Sequence, residues 1–221
     1  MHRGFQTMVD ERAWRELTEL GPSRLYRRRA VLVRQDELGE EVFVVASGRI
    51  TVHHLGEDGT QGLVAMRGRG DLVGELGLFK APGRHTRSAT VTALDDCHAH
   101  RVPLAAFRRF CEERALTFTV GEYMTSKLSE SVGFRRQLIH FRAEQRIARL
   151  IQRALALAGP EVADPLRVPF SQQELADALG LSRSKVAEVV RDLRAEGILG
   201  PGPHVVVADP VRFRDRIHIP E

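Results

Sequence analysis

Residues 170–199, FSQQELADALGLSRSKVAEVVRDLRAEGIL, decide how this chain is read. Ser171 stands three residues before Glu174, the spacing of a capping box, so a helix starts there. Leu175, Ala176 and Leu179 recur at helical period and form its inner stripe. Gly180 falls where a helix stops and the backbone needs a positive φ. Ser182 caps a second helix, whose inner positions are Val186, Val189, Val190 and Leu193. Arg183, Ser184, Lys185, Glu188 and Arg191 are then left pointing away from the core. An ordinary helical hairpin with a solvated charged face has much of this pattern. The short turn and the spacing of Ala176, Gly180 and Val186 favour a helix-turn-helix. In such a unit the second helix enters the major groove and its first side chains reach base edges. Arg183 is expected to contact a guanine, and Ser171, Gln172 and Ser182 to position phosphates.

Working outward, Gly197-Ile198-Leu199 and Val205-Val206-Val207 flank the turn Gly200-Pro201-Gly202-Pro203 and predict a β-hairpin, the wing of a winged helix. Upstream lie a proline-containing connection (159–169), a helix (142–158) and a long helix (117–140). On the long helix Val120, Met124, Leu128, Ser131 and Leu138 approach a heptad seam, interrupted at Arg135. That stripe could pack on the chain's own N-terminal part. A seam between two copies is preferred, because a helix-turn-helix reads best as a symmetric pair on a palindromic site. Residues 14–20 and 104–114 predict short helices. Between them the texture is β: 31–33, 42–45, 50–52, 63–66 and 89–92 are short apolar runs separated by turn residues, with 56–59 a hairpin tip. Strands at this spacing indicate a jelly-roll sandwich or barrel. The expected fold is α+β: a β-roll over 1–116, a dimerisation helix over 117–140 and a winged helix-turn-helix over 141–221.

The net charge is only +4, with 33 basic and 29 acidic residues. Of these, 19 basic and 18 acidic residues precede Arg135, which leaves 14 and 11 beyond it, so the excess of +3 sits with the helix-turn-helix against +1 before it. No apolar run is long enough to span a membrane and the N-terminus has no secretory h-region, so a cytoplasmic location is expected. Two isolated cysteines, Cys97 and Cys111, do not make a disulfide framework or a cluster site, and read as small buried apolar residues. Cys97, His98 and His100 would put both histidines on one face of a strand, but no fourth ligand stands at a telling spacing, and no metal is expected. His53 and His54 read as surface residues on opposite strand faces.

A second constellation lies in the β region. Gly74-Glu75-Leu76-Gly77-Leu78-Phe79 is followed by Arg87-Ser88-Ala89. Glycines allow close backbone approach to an anion, a guanidinium supplies the countercharge, and a serine hydroxyl adds a hydrogen bond. A carboxylate beside a phosphate makes sense as an acceptor for a sugar hydroxyl. The same residues could equally form a glycine-rich corner in which Glu75 caps a turn and Arg87 makes a surface ion pair.

With these motifs in this order, residues 17–208 resemble the CRP/FNR family of bacterial transcription regulators. The most specific matches are 74–79 with Arg87-Ser88-Ala89, and Leu179-Gly180-Leu181-Ser182-Arg183. The resemblance implies a cyclic-AMP-type pocket in which Arg87 and Ser88 hold the cyclic phosphate, Glu75 takes the ribose 2′-hydroxyl, and Gly74, Leu76 and Ala89 shape the wall. Three features depart from the cyclic-AMP receptor pattern. The loop before Arg87 is longer, with Arg84 and His85 added. The threonine–serine pair that meets the base falls on Ser131 and Val132, with Thr125-Ser126 lying earlier on the helix. The recognition helix carries Ser184 and Glu188 where the receptor has glutamate and arginine, so a different operator is implied. Cysteines for an iron–sulfur cluster of the FNR type are missing from the N-terminus. The implied partners are palindromic double-stranded DNA, a second copy of the chain and RNA polymerase, with no membrane. No cofactor is obligatory, and cyclic AMP is the expected effector. A regulator of the same fold with another effector, or with none, is the alternative. A cyclic-nucleotide-controlled enzyme is more distant, since no segment is left over for a catalytic domain.

Overall fold

The run Val42-Phe43-Val44-Val45 has no polar alternation, and the computed structural model gives the reason. The structure describes residues 4–56, 61–80 and 86–216. These four residues lie on strand β3 (Glu41–Ser47), which is buried on both faces. Phe43 and Val45 turn inward to a core between two sheets, where they meet Tyr26, Ile50, Val91 and Ala99. Val42 and Val44 turn outward to a second core with Leu17, Phe107, Val120 and Tyr123 from the helices. A strand covered on both sides has no solvent face to mark in its sequence.

The other strands are β1 (Ser23–Tyr26), β2 (Val31–Val33), β4 (Ile50–Leu55), β5 (Gln61–Arg67), β6 (Leu72–Val73), β7 (Thr90–Ala93) and β8 (Cys97–Pro103). They form two antiparallel four-stranded sheets, β1-β8-β3-β6 and β2-β7-β4-β5. The five expected strands fall on β2, β3, β4, β5 and β7. Strands β1 and β6 have no apolar run of their own. They are recruited by register, with Leu25 opposite His98 and Leu72 opposite Val44. In β8, Cys97 and Ala99 point inward while His98 and His100 share the outer face, each bonded locally, to Ser47 and to the Gly21 carbonyl. Among the described residues no cluster could hold a metal ion. Both cysteines are buried and unpaired. Of the expected hairpin tip at 56–59, residues 57–59 lie outside the described residues; on either side of it Leu55 pairs with Gln61. His53 is half-buried rather than a surface residue, and lines a cleft together with Phe170, Glu174 and Ala178.

The helices are α1 (Glu11–Glu19), α2 (Leu104–Glu113), α3 (Thr117–His140), α4 (Ala143–Ala156), α5 (Gln172–Leu179), α6 (Arg183–Ala195) and α7 (Pro210–Arg216). Helix α1 begins before Trp14 because the Asp10 carboxylate caps it, accepting from the Ala13 N–H. The stripe read on α3 as one seam does not share one environment. Val120 is fully buried in the core beneath β3, Leu138 packs toward the C-terminal helices, and Ser131 lines a cavity. Among the described residues, the large apolar side chains that α3 shows to solvent are Phe118, Leu128 and Val132, exposed by 82%, 65% and 60%. Steps of ten and four residues keep these three on one face of a helix.

A third core joins α4, α5 and α6 to Leu63, Met66 and Leu94 of the β-roll. Polar ties cross the same junction. Arg49, 2% exposed, donates to the Ala154 carbonyl at 2.8 Å and pairs with Asp95 at 2.6 Å. The Gly48 N–H donates to Glu161 at 2.7 Å. The expected wing is reduced to a single bridge, Leu199 with Val207, beside a bridge from Arg167 to Val206. Pro201 and Pro203 have no N–H to offer a ladder, so the hairpin does not extend.

Candidate nucleotide cavity and DNA-binding face

All seven residues expected to hold a ligand come together. A cavity of about 160 Å³ is lined by Gly74, Glu75, Leu76, Arg87, Ser88 and Ala89 from the loops, and by Ser131 from α3. Gly74 sits at φ 89° and turns the chain from β6 into a short 3-10 turn, Glu75–Phe79. A side chain there would run into the Arg87 guanidinium and come within 2.8 Å of the Glu41 carbonyl oxygen, so glycine is required by space as well as by conformation.

Arg87 is the most constrained group in the cavity. It is 7% exposed, and its Nη2 donates to the Glu41 carbonyl at 2.7 Å. Its guanidinium lies 6.0 Å above the Phe43 ring. Its Nη1 is buried and, among the described residues, has no hydrogen-bond partner. Burial lowers the Arg87 pKa, against the pull of Glu41, Glu75 and Glu37. Burial raises the Glu75 carboxyl above its ordinary pKa, and Arg67 and Arg87 recover only part of that. The site therefore presents a guanidinium with one nitrogen unpartnered among the described residues, beside a carboxyl whose ionisation burial disfavours. Ser131 is half-buried and its hydroxyl donates to the Lys127 carbonyl at 3.0 Å, which leaves its lone pairs for the cavity. Arg84 and His85, of the longer loop, lie outside the described residues.

The residue that sequence reasoning missed is Arg67. It ends β5, one position past the apolar run 63–66, and is 8% exposed. A charge at the inward end of an otherwise apolar strand is the signal that was available. Arg67 lines the cavity and also a second cleft of about 440 Å³ between β5, α3 and α4; Val64, Ala65 and Ser131 are shared by the two. Beneath both runs a chain of charges. The Tyr123 hydroxyl donates to Asp71 at 3.0 Å, and Asp71 pairs with Lys127 at 3.2 Å. Glu130 then gathers three cations: Arg153 of α4 at 2.6 Å, Lys127 at 3.2 Å and Arg67 at 3.4 Å. Burial pushes the Glu130 carboxyl up, but Arg153, Lys127 and Arg67 together outweigh it and hold the net pKa below the ordinary value.

The second face is built by α5 and α6. Ser171 and Glu174 form the expected capping box, with N–H to oxygen distances of 3.1 and 2.7 Å. Gly180 adopts φ 61° and Ser182 caps α6 by accepting from the Lys185 N–H. Val186, Val189, Val190 and Leu193 are buried, as their spacing requires. Ser182, Arg183, Ser184, Glu188 and Arg191 are exposed along the outer side of α6, while Lys185 is half-buried and pairs with Glu188 at 2.7 Å. At the start of α5, Ser171 is exposed and Gln172 half-buried. Glu174 also receives Arg28 at 2.9 Å and Arg29 at 3.0 Å from the turn between β1 and β2. Burial raises its carboxyl pKa, but the Ser171 N–H and these arginines bring the net below the ordinary value. No helix among the described residues is long and apolar enough to cross a membrane.

Comparison with known proteins places both sites in sequence families. The cyclic nucleotide-binding domain family matches residues 23–114 and the Crp-like helix-turn-helix domain family matches residues 145–216. The chain is 26% identical over 182 residues to the cAMP-activated global transcriptional regulator Vfr of Pseudomonas aeruginosa, covering 80% of this chain and 84% of Vfr. It is 25% identical to the CRP-like cAMP-activated global transcriptional regulator of Mycobacterium tuberculosis, over 82% of each chain. Among solved structures, the c-di-GMP responsive global regulator CLP of Xanthomonas campestris superposes with a TM-score of 0.71 at 21% identity, over 90% of this chain and all of that one. These relatives are transcription regulators, not enzymes.

Proposed function

The chain belongs to the CRP/FNR family of transcription regulators, with a cyclic nucleotide-binding domain and a Crp-like helix-turn-helix, and from that premise we propose that it is a homodimer whose hold on a palindromic operator is set by a cyclic nucleotide. The observation that carries this reading is Arg87, whose Nη1 is buried and without a partner among the described residues. A buried donor left in that state costs about 1–3 kcal/mol, and an anion drawn into the cavity removes the penalty. A cyclic phosphate is such an anion. Ser88 stands beside Arg87 for a second hydrogen bond, and Glu75 is placed to accept from a ribose hydroxyl. The names of the 25–26% identical relatives support a purine cyclic nucleotide of the cyclic-AMP class.

The nucleotide supplies a phosphate charge and a sugar hydroxyl; the chain does the rest. Ser131 and Arg67 form the wall that joins the cavity to α3, and Glu130 connects that wall to Arg153 on α4. A ligand shifts the arrangement only by binding one state more tightly than the other. Phe118, Leu128 and Val132 support a second copy docking along α3, since three large apolar groups in one stripe are otherwise left in water. The division at 116–117 and 140–141 would then separate effector unit, dimer helix and DNA unit. On DNA, Arg183 reads a base while Ser171, Gln172 and Ser182 meet phosphates, with Ser184, Lys185, Glu188 and Arg191 completing the face.

Calorimetry of the full-length protein with cyclic AMP and cyclic GMP, beside Arg87→Ala, tests the gating. Micromolar binding that disappears in the variant is expected. No heat with either nucleotide would overturn nucleotide gating and leave the family assignment standing.

A further inference from the structure

We propose that Arg67 reads the base of the bound nucleotide and makes the cavity selective for guanine over adenine. The inference rests on the cyclic-nucleotide reading above and follows from what is left once that reading has used its residues. Arg87 and Ser88 take the phosphate and Glu75 takes the ribose. Among the described residues the remaining wall is apolar, Val33, Val52, Val64, Leu72 and Val91 included, and carries two polar side chains, Arg67 and Ser131. These two are what that wall offers a base.

Their chemistries differ. The Ser131 proton is given to the Lys127 carbonyl at 3.0 Å, so Ser131 faces the cavity as an acceptor. Adenine offers it an exocyclic amine, and guanine offers a ring N–H and an amine; Ser131 does not choose between them. Arg67 does. A guanidinium has donors and no acceptor. Guanine presents two acceptors, O6 and N7, on one edge, whereas adenine puts its amine donor beside N7 and sets donor against donor.

Arg67 is also held loosely enough on the Glu130 side to turn to a base. Its Nη1 bonds the Met66 carbonyl at 3.0 Å but reaches Glu130 only at 3.4 Å. Glu130 keeps Arg153 at 2.6 Å and Lys127 at 3.2 Å if Arg67 lets go. Burial of the guanidinium strengthens the discrimination, because water cannot stand in for the missing acceptor.

The test is calorimetry on the full-length chain with cyclic GMP and cyclic AMP, in the natural protein, Arg67→Leu and Arg67→Lys, with circular dichroism to establish folding. The natural protein should bind cyclic GMP about tenfold or more tighter than cyclic AMP. Both variants should bring that ratio close to one, chiefly by weakening cyclic GMP binding. Arg67→Lys keeps the charge beside Glu130 and loses the two-donor fork, so it answers even if Arg67→Leu fails to fold. A natural preference for cyclic AMP, or a guanine preference that survives both variants, would overturn the role of Arg67 alone. No binding of either nucleotide would overturn the cyclic-nucleotide reading and this inference with it.

Discussion

Glu130→Gln is the substitution whose effect the structure defines most closely. One carboxylate faces Arg153, Lys127 and Arg67, whose side chains are 32%, 4% and 10% exposed. Removing its charge leaves three cations with Asp71 as the nearby counter-ion. Breaking a fully buried pair costs about 3–5 kcal/mol. Glu130 is itself 28% exposed, and glutamine keeps an oxygen acceptor for one of the three, so a loss of about 2–3 kcal/mol is expected. For 221 residues that lowers the melting temperature by about 4–12 °C. The pH dependence gives a second readout. The folded pKa of Glu130 lies below its ordinary value, so its stabilisation is complete above the unfolded pKa of about 4.3 and is lost as pH falls through the lower folded pKa. The gap between natural protein and variant, read by thermal denaturation, should be full at pH 7 and close below about pH 4. Adding Arg67→Leu to the variant should return about 1 kcal/mol, since an unpaired buried cation is removed. Equal melting temperatures at pH 7, or a gap that persists unchanged into acid, would refute the hub.

Four further outcomes are expected. Arg183→Ala should weaken operator binding by about 1–3 kcal/mol in fluorescence anisotropy and affect random DNA less; equal losses would remove it from base reading. Leu128→Asp with Val132→Asp should shift the protein from dimer to monomer in light scattering, because both side chains stand in the exposed stripe of α3; an unchanged mass would rule that face out. Gly180 has φ 61° and open space around it, so the penalty there is conformational: Gly180→Val should cost about 1–2 kcal/mol in denaturant titrations and Gly180→Asn clearly less. Burial pushes the Cys97 and Cys111 thiols up to about 12, so neither should react with a maleimide at pH 8 until the protein is unfolded, when both should.

The helix-turn-helix was legible in the sequence almost residue by residue, because its signals are local. A capping box, a left-handed glycine and an inner stripe all lie within three or four residues of what they determine, and Ser171, Glu174, Gly180 and Ser182 sit in the roles their spacing assigned. The glycine–glutamate and arginine–serine pieces were equally visible as residues. That they line one cavity depends on β6 and β7 being brought together in different sheets, which no spacing states. The α3 stripe divides among three environments for the same kind of reason. Val120, Leu128 and Leu138 carry similar apolar signals, yet the β-roll covers the first, the C-terminal helices cover the third, and the second is left to solvent. Hydrophobicity tells a residue to be covered, but not by what. Arg67 makes the sharpest division. In the sequence it is one arginine among many; only the packing of β5 against α3 and α4 sets it in the wall of the cavity and beside Glu130, where a charge that would otherwise be solvated is buried.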